Sequence, residues 1–293
     1  MMNTINLRKR LKEQRILVAP GVADTLSAVL AQNAGFEAIF LSGSAMSYTH
    51  LGRPDIGLLS LAEIAAITAR IAERINVPIF VDADSGFGNA YHVHRSVRAL
   101  ELAGASCIQI EDQIHDQHPG EIGKRPVISL SDMLAKLRAA FDARRSDATL
   151  ISARSDAVFS ESVAAAMERA LAYIDVGADI VFVEGLTNQN DRKQLVKLVD
   201  NRAAILFNTA LPTGDVAPDA TTLQAEGYSI ALSPATVITA TVKASEIALS
   251  KLAGETPGLL PTFSDASPSS HFVGEAIRGA DYIEKYKKWS TPK

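Results

Sequence analysis

The amino-acid sequence predicts a single (β/α)8 barrel followed by an additional helix. Short apolar segments alternate with longer segments of helical periodicity, and glycine often stands directly before a predicted strand, where a helix C-cap is expected. The composition does not change along the chain in a way that indicates two separate folding units. A doubly wound open sheet is the alternative, but no Gly-x-Gly-x-x-Gly motif follows the first strand. The predicted strands are 16–19, 37–42, 79–82, 106–111, 149–153, 179–184, 203–207 and 228–232.

The helical segments between these strands have apolar residues at spacings of three and four. A short amphipathic helix at 4–14 precedes the first strand, and segment 235–252 fits the eighth helix of the barrel. A connector rich in glycine and proline (254–268) then leads to a final helix at 272–288. We therefore predict a barrel domain over 1–253 and a linker with a terminal helix over 254–293. The other predicted helices are 24–33, 61–74, 93–103, 130–143, 162–176 and 191–199.

The composition is that of an ordinary soluble globular protein with a large core. Of the 293 residues 47% are hydrophobic and 21% charged, and the formal net charge is −4. The negative charge argues against a nucleic-acid partner, and no apolar segment approaches the roughly 20 residues that span a membrane. The one cysteine, Cys107, lies in an apolar strand-like segment where burial is expected. A cytoplasmic location is the expectation.

The most informative stretch follows the third predicted strand. Asp82 and Asp84 are two residues apart at the end of this strand, and because alternate strand residues share a face, we expect both carboxylates to point the same way. Two carboxylates held that close repel each other unless a cation or a shared proton lies between them. Such oxygen ligands suit Mg²⁺, with Mn²⁺ as the second possibility. The structural alternative is a helix N-cap with a solvated acid beside it.

Polar side chains also follow the other predicted strands, where the chemistry of a (β/α)8 barrel is found. The small residues Ser42, Gly43 and Ser44 offer backbone N–H groups to an anion, and a turn soon afterwards carries Asp55. Their convergence at one mouth predicts a site for a metal and a small oxygen-rich anion. The remaining strand ends contribute Glu111, Asp112, Arg154, Glu184, Asn208 and Thr209.

Four segments resemble the isocitrate lyase/phosphoenolpyruvate mutase superfamily, and most of all its 2-methylisocitrate lyase branch. They are 82–89 (DADSGFGN), 110–113 (IEDQ), 153–157 (ARSDA) and 182–184 (FVE), and the resemblance extends over about 7–250. It implies that Mg²⁺ is held by Asp82, Asp84 and Glu111, partly through water. It also implies exchange of C-terminal helices between paired subunits, and we expect a homotetramer. It implies that Ser42, Gly43 and Ser44 bind a small anionic 2-oxo or 2-hydroxy acid, with Asp55 nearby. It also implies that Arg154 contacts a substrate oxygen and that Glu184 and Asn208 surround the leaving portion. Thr209, next to Asn208, is also expected to bind the substrate.

The segment after the fourth strand departs from these lyases. They carry a Lys-(Lys/Arg)-Cys-Gly-His motif whose cysteine is taken to protonate the enolate product, but segment 117–121 reads QHPGE here, with Pro119 at the cysteine position. A replacement acid is expected among His115, His118 and Glu121, and histidine has the best unperturbed pKa for that role. Lys124 and Arg125 follow, where a closing loop would place cations over an anionic substrate.

We therefore interpret the chain as a Mg²⁺-dependent carbon–carbon lyase acting on a small 2-hydroxy or 2-oxo di- or tricarboxylate through an enolate. Alternatives within enzymes are an oxaloacetate-type decarboxylase or hydrolase, and then a phosphonomutase. A barrel without catalytic activity that serves as a binding subunit is the alternative from another class. The expected acids of the metal site favour an enzyme.

Overall fold

The computed structural model describes residues 6–13, 15–114, 124–211 and 216–254. Its eight parallel strands pair in chain order and close on themselves, because β1 pairs with β8. This closed barrel confirms the predicted fold class. The strands are β1 Leu17–Val22, β2 Ile39–Leu41, β3 Ile79–Asp82, β4 Cys107–Glu111, β5 Leu150–Ser155, β6 Ile180–Val183, β7 Ala204–Asn208 and β8 Ile230–Ser233.

Helices follow the strands. A five-residue π-helix, Ser47–Leu51, continues directly from α3. The α-helices are α1 Leu7–Arg10, α2 Thr25–Asn33, α3 Gly43–Met46, α4 Leu61–Arg74, α5 Ala90–Leu102, α6 Leu130–Ala143, α7 Ala157–Ser160, α8 Val163–Asp175, α9 Gln189–Val199, α10 Ala220–Glu226 and α11 Thr236–Gly254. In the part of the chain that the structure describes, no helix is long and apolar enough to cross a membrane.

Two apolar layers hold the barrel together. Alternate strand residues point inward and fill the barrel with side chains such as Phe40, Phe80 and Phe182. The other strand residues point outward and pack under the helices, as Ile108 does beneath α5 and α6. The inner layer ends in polar residues at the carboxyl ends of the strands, which places the acidic side chains at one mouth of the barrel.

The predicted strand bounds differ from the observed ones by up to three residues, and four short elements were not predicted. These are α3, α7, α10 and the π-helix, all of seven residues or fewer, which are too short for a helical period to be recognised. The predicted helix at 4–14 is shorter than expected and covers Leu7–Arg10.

Segment 235–252 was predicted as the eighth helix of the barrel, and only its start contacts the barrel, at β1. The segment is helical, as α11, but only Val237 and Ile238 are partly covered, and every residue from 239 to 254 is exposed. Val242, Leu249 and Leu252 lie on one face of α11, and each is more than 40% exposed. Helical periodicity reports an apolar face but not the surface that covers it. The predicted final helix at 272–288 lies outside the described residues.

Candidate active site

The strand register brings the predicted site residues together at the mouth of the barrel. Glu111 on β4 is paired with Arg154 on β5, and Asp82 on β3 is paired with Gln109 on β4. Neighbouring strands are about 5 Å apart, so these side chains share one small region. The convergence predicted from the strand ends is therefore found for Asp82, Asp84, Glu111, Arg154, Glu184 and Asn208.

The carboxylates of Asp82 and Asp84 converge beside Gly43. A Cβ atom at residue 43 would lie 3.2 Å from Asp82 Oδ2 and 3.3 Å from Asp84 Oδ1. The Gly43 amide donates to Asp82 Oδ2 at 3.4 Å, and the Asp84 amide to Asp82 Oδ1 at the same distance. Glycine at 43 thus leaves room for two carboxylates to approach the start of α3.

Asp84 reaches this position by a different route from the one the sequence predicted. β3 ends at Asp82, so strand alternation does not orient Asp84. Its backbone instead has a φ of 45°, in the left-handed region that few non-glycine residues adopt. A tight turn closes where the Gly86 amide donates to the Ala83 carbonyl at 2.8 Å, and Gly86 also has a positive φ, of 82°. This turn directs the Asp84 carboxylate back toward Asp82.

The three acids carry more negative charge than their surroundings favour. Burial raises the pKa of Asp82, although the charge of Arg154 lowers it in part. Burial and then the charges of Asp82 and Asp55 raise the pKa of Asp84 well above its usual range. The pKa of Glu111 is also raised well above its usual range by burial, against the opposing effect of Arg154. A cation near these acids would relieve the repulsion that these shifts report.

The donor set fits a hard divalent cation. Among the described residues, no group of three acidic, histidine or cysteine side chains is arranged to hold a metal ion, and Glu111 forms an ion pair of 3.3 Å with Arg154. Mg²⁺ needs only one or two carboxylates and completes its octahedral shell with waters and substrate oxygens. Asp82 and Asp84 provide that pair, and Glu111 is the nearby third acid.

Arg154 lies among three carboxylates. Its Nε and Nη2 are 2.8 and 2.9 Å from the two oxygens of Asp156, its Nη1 is 3.3 Å from Glu111 Oε2, and its Nη2 is 3.6 Å from Glu184 Oε2. Burial lowers the pKa of the guanidinium, but the charges of Asp156, Glu111 and Glu184 raise it far more, so Arg154 stays charged. Its predicted contact with a substrate oxygen stays a prediction, since the structure shows its protein contacts.

Asp156 holds Arg154 in place and is in turn held by Asp112; the sequence placed Asp112 among the acids of the predicted site and gave Asp156 no role of its own. Asp112 is fully buried and accepts hydrogen bonds from the Asp156 amide at 2.9 Å, Ser155 Oγ at 2.8 Å and Tyr173 OH at 2.7 Å. Arg169 Nη1 lies 3.5 Å from the same carboxylate. Both acids lie within segments 110–113 and 153–157, which resemble the superfamily, and this was the signal in the sequence that could have identified them. Their hydrogen-bond partners are distant in sequence, so no local pattern predicts these contacts.

The residues that follow β2 and were predicted to bind an anion already make some contacts within the protein. Ser42 is buried, caps α3, and lies with its Oγ 3.1 Å from Ser44 Oγ, while the Gly43 amide faces Asp82. Asp55 lies on the exposed segment before α4. Its carboxylate still reaches solvent, but surrounding protein atoms exclude part of its water, and this partial burial together with the charge of Asp82 raises its pKa to about 6.

The residues after β6 and β7 divide into two groups. Glu184 is buried at the mouth and accepts a hydrogen bond from Asn208 Nδ2 at 2.9 Å, so this pair lies beside Arg154. The Thr209 hydroxyl instead donates to the Leu232 carbonyl of β8 at 2.9 Å and supports the barrel wall in this structure. Its predicted substrate contact stays a prediction.

The segment that returns from the predicted loop contacts the site through Arg125. Its Nη1 lies 2.8 Å from Asp156 Oδ1, and its guanidinium stacks 4.7 Å from the centre of the Phe159 ring. Lys124 is exposed. The predicted acids His115, His118 and Glu121 lie outside the described residues.

The thiol of Cys107 lies inside the barrel, in the apolar interior and fully buried. Burial raises its pKa well above the usual range. Because it is the only cysteine of the chain, no other thiol is present to protonate a product at the mouth.

Comparison with known proteins gives concordant matches. A family model for phosphoenolpyruvate phosphomutase matches residues 7–253. The chain is 41% identical to 2-methylisocitrate lyase of Aeropyrum pernix, over 84% of this chain and 78% of that one. It is 34% identical to 2,3-dimethylmalate lyase of Eubacterium barkeri, over 96% and 98% of the two chains.

Solved structures agree with the sequence matches. A crystal structure of 2,3-dimethylmalate lyase, described as a PEP mutase/isocitrate lyase superfamily member, superposes with a TM-score of 0.88 at 25% identity and covers 99% of this chain and 100% of its own. A phosphonopyruvate hydrolase complex with oxalate and Mg²⁺ superposes with a TM-score of 0.86 at 25% identity, over 98% and 99% of the two chains.

Proposed function

The chain belongs to the PEP mutase/isocitrate lyase superfamily, and on that premise we propose that it is a divalent-metal-dependent carbon–carbon lyase acting on a small 2-hydroxy or 2-oxo di- or tricarboxylate. The observation that carries the proposal is the convergence of the Asp82 and Asp84 carboxylates beside Gly43, within electrostatic reach of Arg154. The relatives named above are lyases of methylisocitrate and dimethylmalate, which are acids of this class.

The reaction moves one proton off the substrate and returns one to a product. A base accepts the proton of the 2-hydroxyl group, the carbon–carbon bond next to it breaks, and the hydroxyl carbon becomes the carbonyl of a 2-oxo acid. The electron pair of that bond passes to the other fragment as an enolate, which then takes up a proton. The transition state therefore carries growing negative charge on oxygen, and the charged, buried guanidinium of Arg154 is placed to stabilise it.

Asp55 is the base that this arrangement favours. Its pKa of about 6 leaves it ionised at neutral pH yet close enough to the working pH to exchange a proton. Glu184 and Asn208 hold each other at the same mouth, where they bind the polar groups of the departing fragment.

Asp82 and Asp84, with Glu111, would hold Mg²⁺ or Mn²⁺. When bound, the metal supplies a Lewis acid that polarises substrate oxygens and offsets the charge of these acids. A solved structure similar to this chain, a phosphonopyruvate hydrolase, holds Mg²⁺ together with oxalate, and this supports the same cofactor here.

A second function follows from the missing thiol. Protonation of the enolate by a placed acid is typically worth about 10²–10⁴ in rate, and Pro119 stands at the cysteine position. We therefore expect slow turnover of 2-methylisocitrate and isocitrate, unless His118 or Glu121 takes this role. A decarboxylase or hydrolase of the oxaloacetate type depends less on a placed thiol and is the second candidate.

A substrate screen tests the proposal. Purified enzyme with Mg²⁺ is incubated with 2-methylisocitrate, 2,3-dimethylmalate, oxaloacetate and phosphonopyruvate, and release of a 2-oxo acid, or carbon dioxide, is measured by coupled assay. We expect cleavage of at least one acid, its loss in excess chelator, and recovery with Mg²⁺ or Mn²⁺. Asp84→Ala, folded by circular dichroism, should be inactive, and full turnover in excess chelator would refute the metal-dependent mechanism.

We also propose that α11 crosses to a second copy of this chain, in a homotetramer built from paired subunits. Its apolar face is exposed, and the described residues provide no packed eighth helix for the chain's own barrel. Exchange of α11 between two barrels gives each the missing helix and is self-complementary. The expected cytoplasmic location stays a prediction.

A further inference from the structure

Lys136 is a buried lysine that the proposed reaction does not use. It lies on α6, its exposed fraction is 5%, and its Nζ donates a hydrogen bond of 2.9 Å to the main-chain carbonyl of Ser85. Lysine is almost never fully buried unless it is paired, because removing an ammonium from water is costly. Here the ammonium is paired with a backbone oxygen, so the buried lysine holds that carbonyl in its position.

The Ser85 carbonyl belongs to the turn that orients Asp84. Three successive carbonyls of this turn each accept a hydrogen bond from a different element: Asp84 O from the Glu111 amide of β4, Ser85 O from Lys136 of α6, and Gly86 O from Ser96 Oγ of α5. Of these three donors only Lys136 carries a charge. Because Asp84 has an unfavourable left-handed φ, its conformation depends on such contacts from the surroundings.

The same ammonium acts on the acids through space. Burial lowers the pKa of Lys136, while the charges of Glu111, Asp132 and Asp112 raise it in turn. A cation within reach of Glu111 offsets part of the repulsion among the acids of the metal site. A neutral side chain of the same length would remove both the hydrogen bond and this charge.

We propose that Lys136 is a positioning residue of the metal site: its ammonium fixes the Ser85 carbonyl, and so the turn that aims Asp84 at Asp82, without touching metal or substrate. The inference rests on the proposed function, since it concerns the affinity of that metal site. Loss of an outer partner of a metal ligand typically weakens metal affinity by about 10–100-fold.

The test is a titration of Mn²⁺ into wild type and Lys136→Met, followed by electron paramagnetic resonance of the free ion and by calorimetry. We expect the Mn²⁺ dissociation constant to rise at least ~10-fold. Most of kcat should return at saturating Mn²⁺, because Lys136 does not contact the substrate. Arg138→Met is the matched control: it removes a cation from an exposed position of the same helix and should leave Mn²⁺ affinity unchanged.

The outcomes separate the two proposals. If wild type does not bind Mn²⁺, or binds it in a way that Asp84→Ala does not abolish, the metal site of the proposed function is wrong. If wild type binds but a folded Lys136→Met binds within twofold of it, only the role of Lys136 is overturned, even if its melting temperature falls. Should Lys136→Met not fold, Lys136→Gln replaces it, with a weaker Mn²⁺ affinity expected and wild-type affinity again overturning the role.

Discussion

Arg154 and Asp156 form a two-point ion pair at the mouth of the barrel, with Nε 2.8 Å from Oδ2 and Nη2 2.9 Å from Oδ1. Burial raises the pKa of Asp156, but the charges of Arg154 and Arg125 lower it more, so the carboxylate stays ionised. The pair fixes the plane of the Arg154 guanidinium and leaves Nη1 toward Glu111. Arg154 is thus preorganised, which is the property that a group stabilising a transition-state charge requires.

Arg154→Lys should therefore lower kcat/KM by at least ~10-fold, since lysine keeps the charge but cannot make the planar two-point contact. Steady-state kinetics with the best substrate of the screen measures the effect. Arg138→Lys, at an exposed position of α6, is the matched control. If Arg154→Lys has wild-type kinetics, the proposed role of Arg154 in the active site is wrong.

Gly43 supplies the second prediction. A methyl group at this residue would lie 3.2–3.3 Å from an oxygen of each aspartate, tighter than ordinary contact, so Gly43→Ala should push the carboxylates apart. Displacements below 1 Å at a reacting centre can cost up to about 10²-fold, and we expect a loss of about 10-fold in kcat/KM with weaker Mn²⁺ binding. Gly254→Ala, where the methyl meets no atom within 4 Å, is the control. Unchanged Mn²⁺ affinity in Gly43→Ala would show that the metal does not lie between these aspartates.

How far the sequence could predict this site is shown by Asp84. The sequence predicted from the alternation of side chains along a strand that Asp82 and Asp84 lie close together, and their carboxylates do converge. The reason was wrong, since Asp84 lies beyond β3 and depends on a left-handed turn. That turn is held by Lys136, 51 positions from Ser85, and a partner so distant in sequence leaves no local pattern.

The same limit applies to the supports of Arg154 and to α11. Asp112 accepts a hydrogen bond from Tyr173 OH, 61 positions away, and this contact arises from the packing of α8 on β5 and β6. For α11 the helix itself was predictable from its periodicity, whereas its exposure depends on how the chain leaves β8. Short-range patterns thus predicted the barrel and its acids, and missed the contacts that orient them.

Asp55 gives a pH prediction. Its pKa is raised to about 6 by burial and the charge of Asp82, so the carboxyl gains a proton as the pH falls through about 6 and can no longer accept one from the substrate. kcat/KM should fall about tenfold per pH unit below the pKa of this carboxyl and level off above it, and a metal bound at Asp82 would shift this pKa below 6 because it offsets the charge of Asp82. Asp55→Asn should lower the plateau by about 10²–10⁴ and abolish this acidic limb.

The control for this profile is Asp147→Asn. The Asp147 carboxylate is exposed and lies on a surface turn, distant in sequence from Asp55. It should reproduce the wild-type profile. An acidic limb that persists in Asp55→Asn, with an undiminished plateau, would assign the base to another residue.

The exposed face of α11 gives the last prediction. Val242, Leu249 and Leu252 are separated by seven and three positions and so share one side of the helix, whereas Lys243 and Ser250 point away from that side. Leaving large apolar side chains in water forfeits about 1.5–3 kcal/mol for each one that a partner would bury. Light scattering of the full-length chain at micromolar concentration should therefore report a tetramer.

Leu249→Asp should yield smaller species with a lower melting temperature, because a carboxylate would have to be buried at the contact. Ser250→Asp, on the polar side of the same helix, should stay tetrameric. A monomeric wild type, or a Leu249→Asp variant as tetrameric and stable as Ser250→Asp, would refute the exchange of α11 between subunits.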